Sequence, residues 1–446
     1  MTLDWFFERM AGFGGEPALV DGDRTTSYAE LLERTIRWTE RLAETGIGAG
    51  AVVAIEGSFS PETCAAFLAA MQVGAVIVPL TPLMRAHRAT FLAIAEASLL
   101  IELDPLDVWT LSPLPNRVTN PLTLRLVARN HPGLVVFSSG STGAPKAVLH
   151  DLDSIREKFR KVRQKKTTLT FLLFDHIGGI DTMLNTFGSG GCIVTVPERT
   201  PEQVARAIAK HRVHTLPTSP TFLNLFLMSG VWEQHDLSAL KVIAYGTEPM
   251  PDSTLKRLNE VFPGVALIQT YGMSELGVLR SRSRDSTSLW LKFTGEGFRT
   301  KVVDGTLWVK ADSAMLGYLN APALFDADGW LNTQDQVEVD GEYLRILGRA
   351  SDLINVGGQK VYPAEVENLL LQLDNVQDVA VSGKAHPIMG QVVAARFNLK
   401  QPESLQLFKR RLNAFGRERM AKYQVPVYVE LVDAEQFGAR FKKVRQ

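Results

Sequence analysis

The chain has 446 residues, in which 48 lysines and arginines balance 48 aspartates and glutamates; hydrophobic residues make up 45% and charged residues 22%. At roughly 100 to 200 residues per domain this predicts two to four domains, and the composition excludes disorder, collagen-like repeats and a heptad rod. The charge balance leaves no global field for nucleic acid or an anionic membrane, so any anion site has to be local.

The N-terminal stretch MTLDWFFERM mixes charges with its aromatics, and no secretory signal is expected. Apolar residues at helical spacing predict a helix over 28–44, followed by the strand AVVAIEG. The apolar stretch from Cys64 to Leu80 is broken by Gln72, Gly74 and Pro79. It is shorter than the roughly 20 residues that cross a bilayer, and it reads as a buried helix and a buried strand. The alternation recurs in PEQVARAIAKH then VHTLPT, and in STLKRLNEVFP then VALIQTYG. It predicts α/β layers with mostly parallel strands. The basic run REKFRKVRQKK (156–166) reads as a solvated helix face, with a docking patch for an acidic or phosphorylated partner as the alternative.

After about residue 286 short strands and turns predict a small β unit, and beyond Arg349 a compact α+β pattern follows. The expected division is 1–349 and 350–446. Cys64 and Cys192, both in apolar stretches, argue against a disulfide framework or thiolate metal site and point to a reducing cytoplasm. His211 and His214 lack a third ligand, and no histidine metal cluster is expected.

The sharpest local signal is VVFSSGSTGAPKAVLH (135–150), an apolar strand entering Ser138, Ser139, Gly140, Ser141, Thr142 and Gly143, then Lys146. Glycines let backbone N–H groups approach an anion, hydroxyls donate to phosphate oxygens, and the lysine adds charge. The P-loop pattern is not met, because the lysine follows a proline and no Ser or Thr comes after it.

SSGSTGAPK resembles the phosphate loop of the ANL superfamily of adenylate-forming enzymes, which includes acyl-CoA synthetases and peptide-synthetase adenylation domains. Further segments resemble that family's motifs in order: TSYAELLER, AAMQVGAVIVPLTP, FDHIGG (174–179), AYGTEPM (244–250), TYGMSELG (270–277), DGWLNTQD (328–335), GRASDLINVGGQKVYPAEVE (348–367) and RFKKVR (440–445). The resemblance covers nearly the whole chain. It implies a large adenylate-forming domain of layered α/β subdomains with a small β unit, and a small mobile α+β C-terminal domain.

By the same resemblance the activity is ATP-dependent formation of an acyl-adenylate from a carboxylic acid, with Mg2+. The acyl group then passes to a thiol of CoA or of a carrier protein's phosphopantetheine. Ser138 to Lys146 would cradle the β- and γ-phosphates, Glu275 would hold Mg2+, and Ser274 would contact the α-phosphate. Tyr271 and the adjoining Gly272 belong to the adenine site, with Tyr271 stacking on the base and Gly246, Thr247 and Glu248 lining it. Asp335 would accept the ribose hydroxyls beside Arg349. Lys442 would bridge the carboxylate and the α-phosphate, with Lys443 as a rival one residue on. Ser351 would be the hinge, and Gly357 and Gly358 would line the thiol's path.

Asp175, His176, Ser219, Tyr245, Met273 and Leu276 are the candidate acyl-pocket residues. FDHIGG fits in part both an amino-acid template, through Asp175, and an acyl or aryl template, through His176. Gln334, Asn355 and Phe441 depart from the family's glycine, lysine and glycine, which bears most on the thiol step. The alternatives are transfer of the activated acid, or amino acid, to an amine or other nucleophile, and a non-catalytic nucleotide-binding or carrier-docking protein.

Overall fold

The structure is a computed structural model that describes residues 4–139, 145–322 and 324–445. The first long helix runs Tyr28–Glu44 and starts at a capping box: Ser27 N donates to the Glu30 carboxylate at 2.7 Å, and Glu30 N donates to Ser27 Oγ at 3.2 Å. Its stripe of Tyr28, Leu31, Trp38 and Leu42 is buried. The helix Pro61–Gln72 is buried through most of its length, as its uniformly apolar sequence requires.

Two seven-stranded sheets organise the large domain. One passes through Ala266–Gln269, Val242–Tyr245, Thr215–Thr218, Thr167–Leu169, Cys192–Val194, Pro17–Asp21 and Arg24–Ser27, parallel except for its last pairing. The other passes through Gly317–Tyr318, Pro145–Asp151, Gly133–Ser139, Val76–Leu80, Val52–Glu56, Leu99–Leu103 and Trp109–Pro113, parallel at its centre and antiparallel at both edges. A six-stranded antiparallel sheet within 281–349 forms the expected β unit. The small domain has its own five-stranded sheet and its own core, in which Val366, Phe397 and Phe408 are fully buried. Among the described residues no helix is long and apolar enough to cross a membrane.

The basic run departs from expectation. The helix Leu152–Glu157 stops at its second residue, and 158–166 is irregular. Its cations are drawn in different directions: Lys158 pairs with Asp181, Arg160 with Glu157 at 2.7 Å and Lys165 with Glu16 at 2.6 Å. Tertiary partners on both sides replace a single solvated stripe.

The C-terminal segment folds back on itself, Phe437 bridging Lys443, and binds the small domain through two cations. Arg445 forks onto Glu367 at 2.9 and 2.8 Å, and Lys443 Nζ donates to the Val379 carbonyl at 2.7 Å while lying 2.9 Å from Asp378. Burial pushes the Glu367 pKa up, but Lys443 and Arg445 outweigh it and hold the carboxyl below its ordinary value. Arg445→Ala leaves a buried carboxylate short of its partner and is expected to destabilise the small domain by about 3 to 5 kcal/mol at pH 7, read from urea unfolding. A carboxyl with a lowered folded pKa contributes stability above the unfolded value near 4.3. The difference between wild type and variant should therefore shrink as pH falls below about 4.

Candidate active site

The seam between the domains opens into a cleft of about 190 Å³, whose walls include Gly246, Thr247, Glu248, Tyr271, Gly272, Asp335, Arg349 and Lys442. Segments far apart in sequence therefore meet. Tyr271 Oη donates to Asp335 Oδ2 at 2.6 Å, and Arg349 Nε lies 3.5 Å from the same carboxyl. Burial raises the Asp335 pKa, with Arg349 and Tyr271 pulling the other way. At Gly246 a Cβ would come 2.5 Å from Thr270 Oγ1 and 2.8 Å from the Thr270 carbonyl, so only glycine fits there. The next residue, Thr247, is β-branched yet has φ +74°, a strained backbone at the floor of the cleft.

Lys442 is held in the cleft by its neighbours. Arg440 reaches the buried Asp175 at 2.9 Å, Ser219 Oγ donates to the Phe441 carbonyl at 2.8 Å, and Lys443 N donates to Glu248 at 3.2 Å. The Phe441 ring lies 5.3 Å from Phe171 and 5.5 Å from Phe222, with Arg199 over its face at 5.4 Å. Lys443 is committed to Asp378, whereas Lys442 has no hydrogen bond or ion pair among the described residues. The side chain of Lys442 is open to the cleft. The surrounding protein nevertheless lowers its pKa by desolvation, opposed by Glu248 and reinforced by Arg349 and Arg440. His176 stands nearby at the start of the helix Ile177–Gly188, and its Nδ1 accepts from Gly178 N at 3.0 Å. Burial, with Lys442 and Arg440, depresses its pKa to about 3.

Of the expected phosphate loop, Gly140, Ser141, Thr142 and Gly143 lie outside the described residues, as does the side chain of Ser139. The flanking strands pair Ser138 with Lys146. Lys146 Nζ sits 5.3 Å over the Tyr318 ring, and Tyr318 Oη donates to Glu275 Oε1 at 2.7 Å. One tyrosine thus touches both the loop lysine and the buried carboxylate. The second Glu275 oxygen receives no hydrogen bond among the described residues, and a free hard oxygen donor fits magnesium.

Behind the cleft lies a second cavity of about 370 Å³, joined to it because Gly246, Thr247 and Thr270 line both. The helix Ile177–Gly188 forms one wall and the strands Thr215–Thr218, Val242–Tyr245 and Ala266–Gln269 supply residues of the other. Alternation hollows it out: Ala244 and Gly246 face the cavity, while Ile243 and Tyr245 face the opposite core. Four expected pocket residues are consequently elsewhere. Tyr245 and Leu276 are buried in separate cores, Met273 packs against the β-unit core, and Ser219 caps the helix Pro220–Ser229. Gly357 and Gly358 form the left-handed turn between Ile354–Val356 and Gln359–Val361. Ser351 lies exposed in the single turn Ala350–Asp352.

The sequence profile of AMP-binding enzymes matches residues 6–319, and that of the AMP-binding enzyme C-terminal domain matches 365–437. This chain belongs to the AMP-binding enzymes. As a member of this adenylate-forming superfamily it is an ATP-dependent, AMP-forming ligase. It is 26% identical to an indoleacetate–CoA ligase of Aromatoleum aromaticum (97% of this chain, 94% of that protein). It is 27% identical to a 2-succinylbenzoate–CoA ligase of Bacillus pumilus (96% and 94%). Among solved structures it resembles an anthranilate CoA ligase in complex with anthranoyl-AMP, with TM-score 0.83, 21% identity, and 98% and 95% coverage. It also resembles an amide bond synthetase of Marinactinospora thermotolerans, with TM-score 0.76, 21% identity, and 97% and 96% coverage.

Within this AMP-binding enzyme several supporting residues escape motif reading. Arg440 and Tyr318 act across long sequence separations, Arg440 on Asp175 and Tyr318 on Glu275. His131, Asp151 and Asp153 bring ligand atoms within 4.8 Å, a grouping the sequence did not suggest. Hydrogen bonds account for it, since His131 lies 2.8 Å from Asp151, which caps the helix at Asp153 N and Ser154 N. His150 is fully buried, its Nε2 donating to the Ser274 carbonyl at 2.6 Å, so it fixes the turn that carries Ser274 and Glu275. Burial depresses its pKa to about 4. The unfolded chain therefore binds this proton first, and stability should fall as pH drops from about 6.5 towards 4. His150→Asn is expected to reduce that slope by about 1.4 kcal/mol per pH unit, measured by urea unfolding at several pH values.

Proposed function

We propose that the cleft activates a carboxylic acid as acyl-AMP and that the acyl group is then delivered to the thiol of coenzyme A. The observation that carries this reading is the unpaired Lys442 lining one cleft with the Tyr271–Asp335–Arg349 cluster and with Gly246, Thr247 and Thr270, which also line the inner cavity. The nucleoside belongs on the cluster, with Asp335 accepting from the ribose and the Gly246–Glu248 turn along the base. The acid enters the inner cavity and presents its carboxylate at Thr247. One carboxylate oxygen bonds to the α-phosphorus as the bond to pyrophosphate breaks, and Lys442 stabilises the charge shared by the two reactants.

Ser138 and Lys146 hold the phosphate chain, and Ser274 lies towards the α-phosphate. Glu275 is the carboxylate suited to magnesium, which, when bound, offsets phosphate charge. Neutral His176 marks the point where carboxylate and lysine meet, while Asp175 accepts from Arg440 and Thr81 on one oxygen and keeps its other oxygen buried without a hydrogen-bond partner among the described residues. In the second step the thiolate attacks the acyl carbonyl and AMP leaves. We assign the domain boundary to 349/350 and the pivot to Ser351. The curated relatives named above are CoA ligases, which favours a thiol over the amine acceptor of the structural neighbour. Two free cysteines accord with a cytoplasmic setting.

The test is acid-dependent ATP–pyrophosphate exchange. Lys442→Ala is expected to lower the exchange rate by about 10²- to 10³-fold without lowering the melting temperature. Lys443→Ala should do the reverse, lowering stability first, because it strips Asp378 and Glu367 of a cation. Equal loss of exchange and stability in both variants would reject Lys442 as the activating residue.

A further inference from the structure

The inner cavity has an apolar lining that includes Leu172, Pro217, Ala244, Ile268 and Val278, and beside it a polar set that an alkyl chain would leave unused. The face of the helix Ile177–Gly188 turned towards it carries Asp181, Thr182 and Asn185 at successive turns, where a buried stripe is ordinarily apolar. Opposite stand Thr215, Thr218 and Thr247. The Asn185 amide oxygen and the hydroxyls of these three threonines are buried without a hydrogen-bond partner. Buried polar groups are rarely left unpaired, and here all four belong to residues around one cavity. An oxygen-bearing occupant of that cavity would give them a partner.

Part of the lining is cationic. Asp181 is neutralised by Lys158, whereas Arg163 and Lys166, which also line the cavity, have no carboxylate partner among the described residues. Burial, with the nearby Arg280, lowers the Arg163 pKa from its ordinary value, the sign of a half-buried guanidinium short of a counter-anion. The lining therefore offers two places for a carboxylate, one at Thr247, which shares the cleft with Lys442, and one at Arg163.

We propose that the acid activated by this enzyme is a short dicarboxylic acid bearing hydroxyl or carbonyl groups, its distal carboxylate held by Arg163 and its oxygens by Asn185, Thr215 and Thr218. This rests on the ligase reading above and names its substrate class. The irregular course of 158–166 has its use here: it brings Arg163 and Lys166 to the cavity that a straight helix would have carried past it.

The experiment is ATP–pyrophosphate exchange with matched acids: adipic, 3-hydroxyadipic and 3-oxoadipic acids against hexanoic, octanoic and benzoic acids. The oxygenated dicarboxylates are expected to exceed hexanoic acid in kcat/KM by at least about 10-fold. Arg163→Met should lower the dicarboxylate-to-monocarboxylate ratio by about 10- to 100-fold, mainly through KM, and Arg163→Lys should restore part of it. Thr215→Val and Asn185→Leu test the wall separately, and each should shift preference towards hexanoic acid. Exchange with alkyl or aryl acids in preference to the dicarboxylates, or an unchanged ratio in Arg163→Met, overturns the assignment while leaving the ligase reading intact. Exchange with no acid of either set likewise overturns the substrate assignment, and ATP binding by the same protein then tests the ligase reading separately.

Discussion

The site depends on where one short peptide is pinned. Residues 440, 441 and 443 are each held by a different group: Arg440 by Asp175, Phe441 by an aromatic pocket and Ser219, Lys443 by Asp378 and Glu248. With its neighbours fixed, Lys442 projects into the cleft without a partner of its own. An ammonium already paired would offer little to a developing charge. A free one, open to the cleft and with a lowered pKa, is ready to interact with an anion that arrives. The same peptide ties the domains together, so the assembly of the cleft and the seating of the lysine are a single event.

Much of the fold was legible because its helices and strands announce themselves locally. The capping box at Ser27 and Glu30, the apolar stripe behind it and the short β-rich runs all agree with the tertiary structure. The grouping of Tyr271, Asp335, Arg349 and Gly246 was legible too, since they sit in compact motifs that the structure brings to one cleft. The acid end was not. A strand alternates its faces, so the choice between Tyr245 and Ala244 as a pocket residue turns on which side the helix Ile177–Gly188 covers, and that is a long-range fact. The basic run failed for the same reason: its partners Asp181 and Glu16 are distant in sequence and override its local helical pattern.

Small residues explain how one sheet serves two purposes. Where Ala244 and Gly246 face the helix, the sheet cannot close on it, and a cavity remains. On the other face Ile243, Tyr245 and Leu267 fill a conventional core with Phe222 and Phe226. The apolar face stabilises the sheet while the opposite face is left to a ligand. The strain at Thr247 lies at the junction of the two cavities, where the fold tolerates an unfavourable backbone worth about 1 to 3 kcal/mol.

Two departures from the family's glycines share a physical feature. Gln334 has φ +62° and Phe441 has φ +50°, so each keeps the left-handed backbone that glycine would adopt freely. For an L-residue that costs about 1 to 2 kcal/mol. At Phe441 the cost has a clear return, because the ring is partly buried against Phe171 and Phe222, contributing about 1 to 2 kcal/mol. That contribution exists only while the tail is docked on the large domain. Undocking the tail from the large domain has to withdraw the Phe441 ring, separate Arg440 from Asp175 and release Glu248 from the tail together. The Phe441 ring thus favours the docked orientation, in which Lys442 lines the cleft with Tyr271, Asp335 and Arg349.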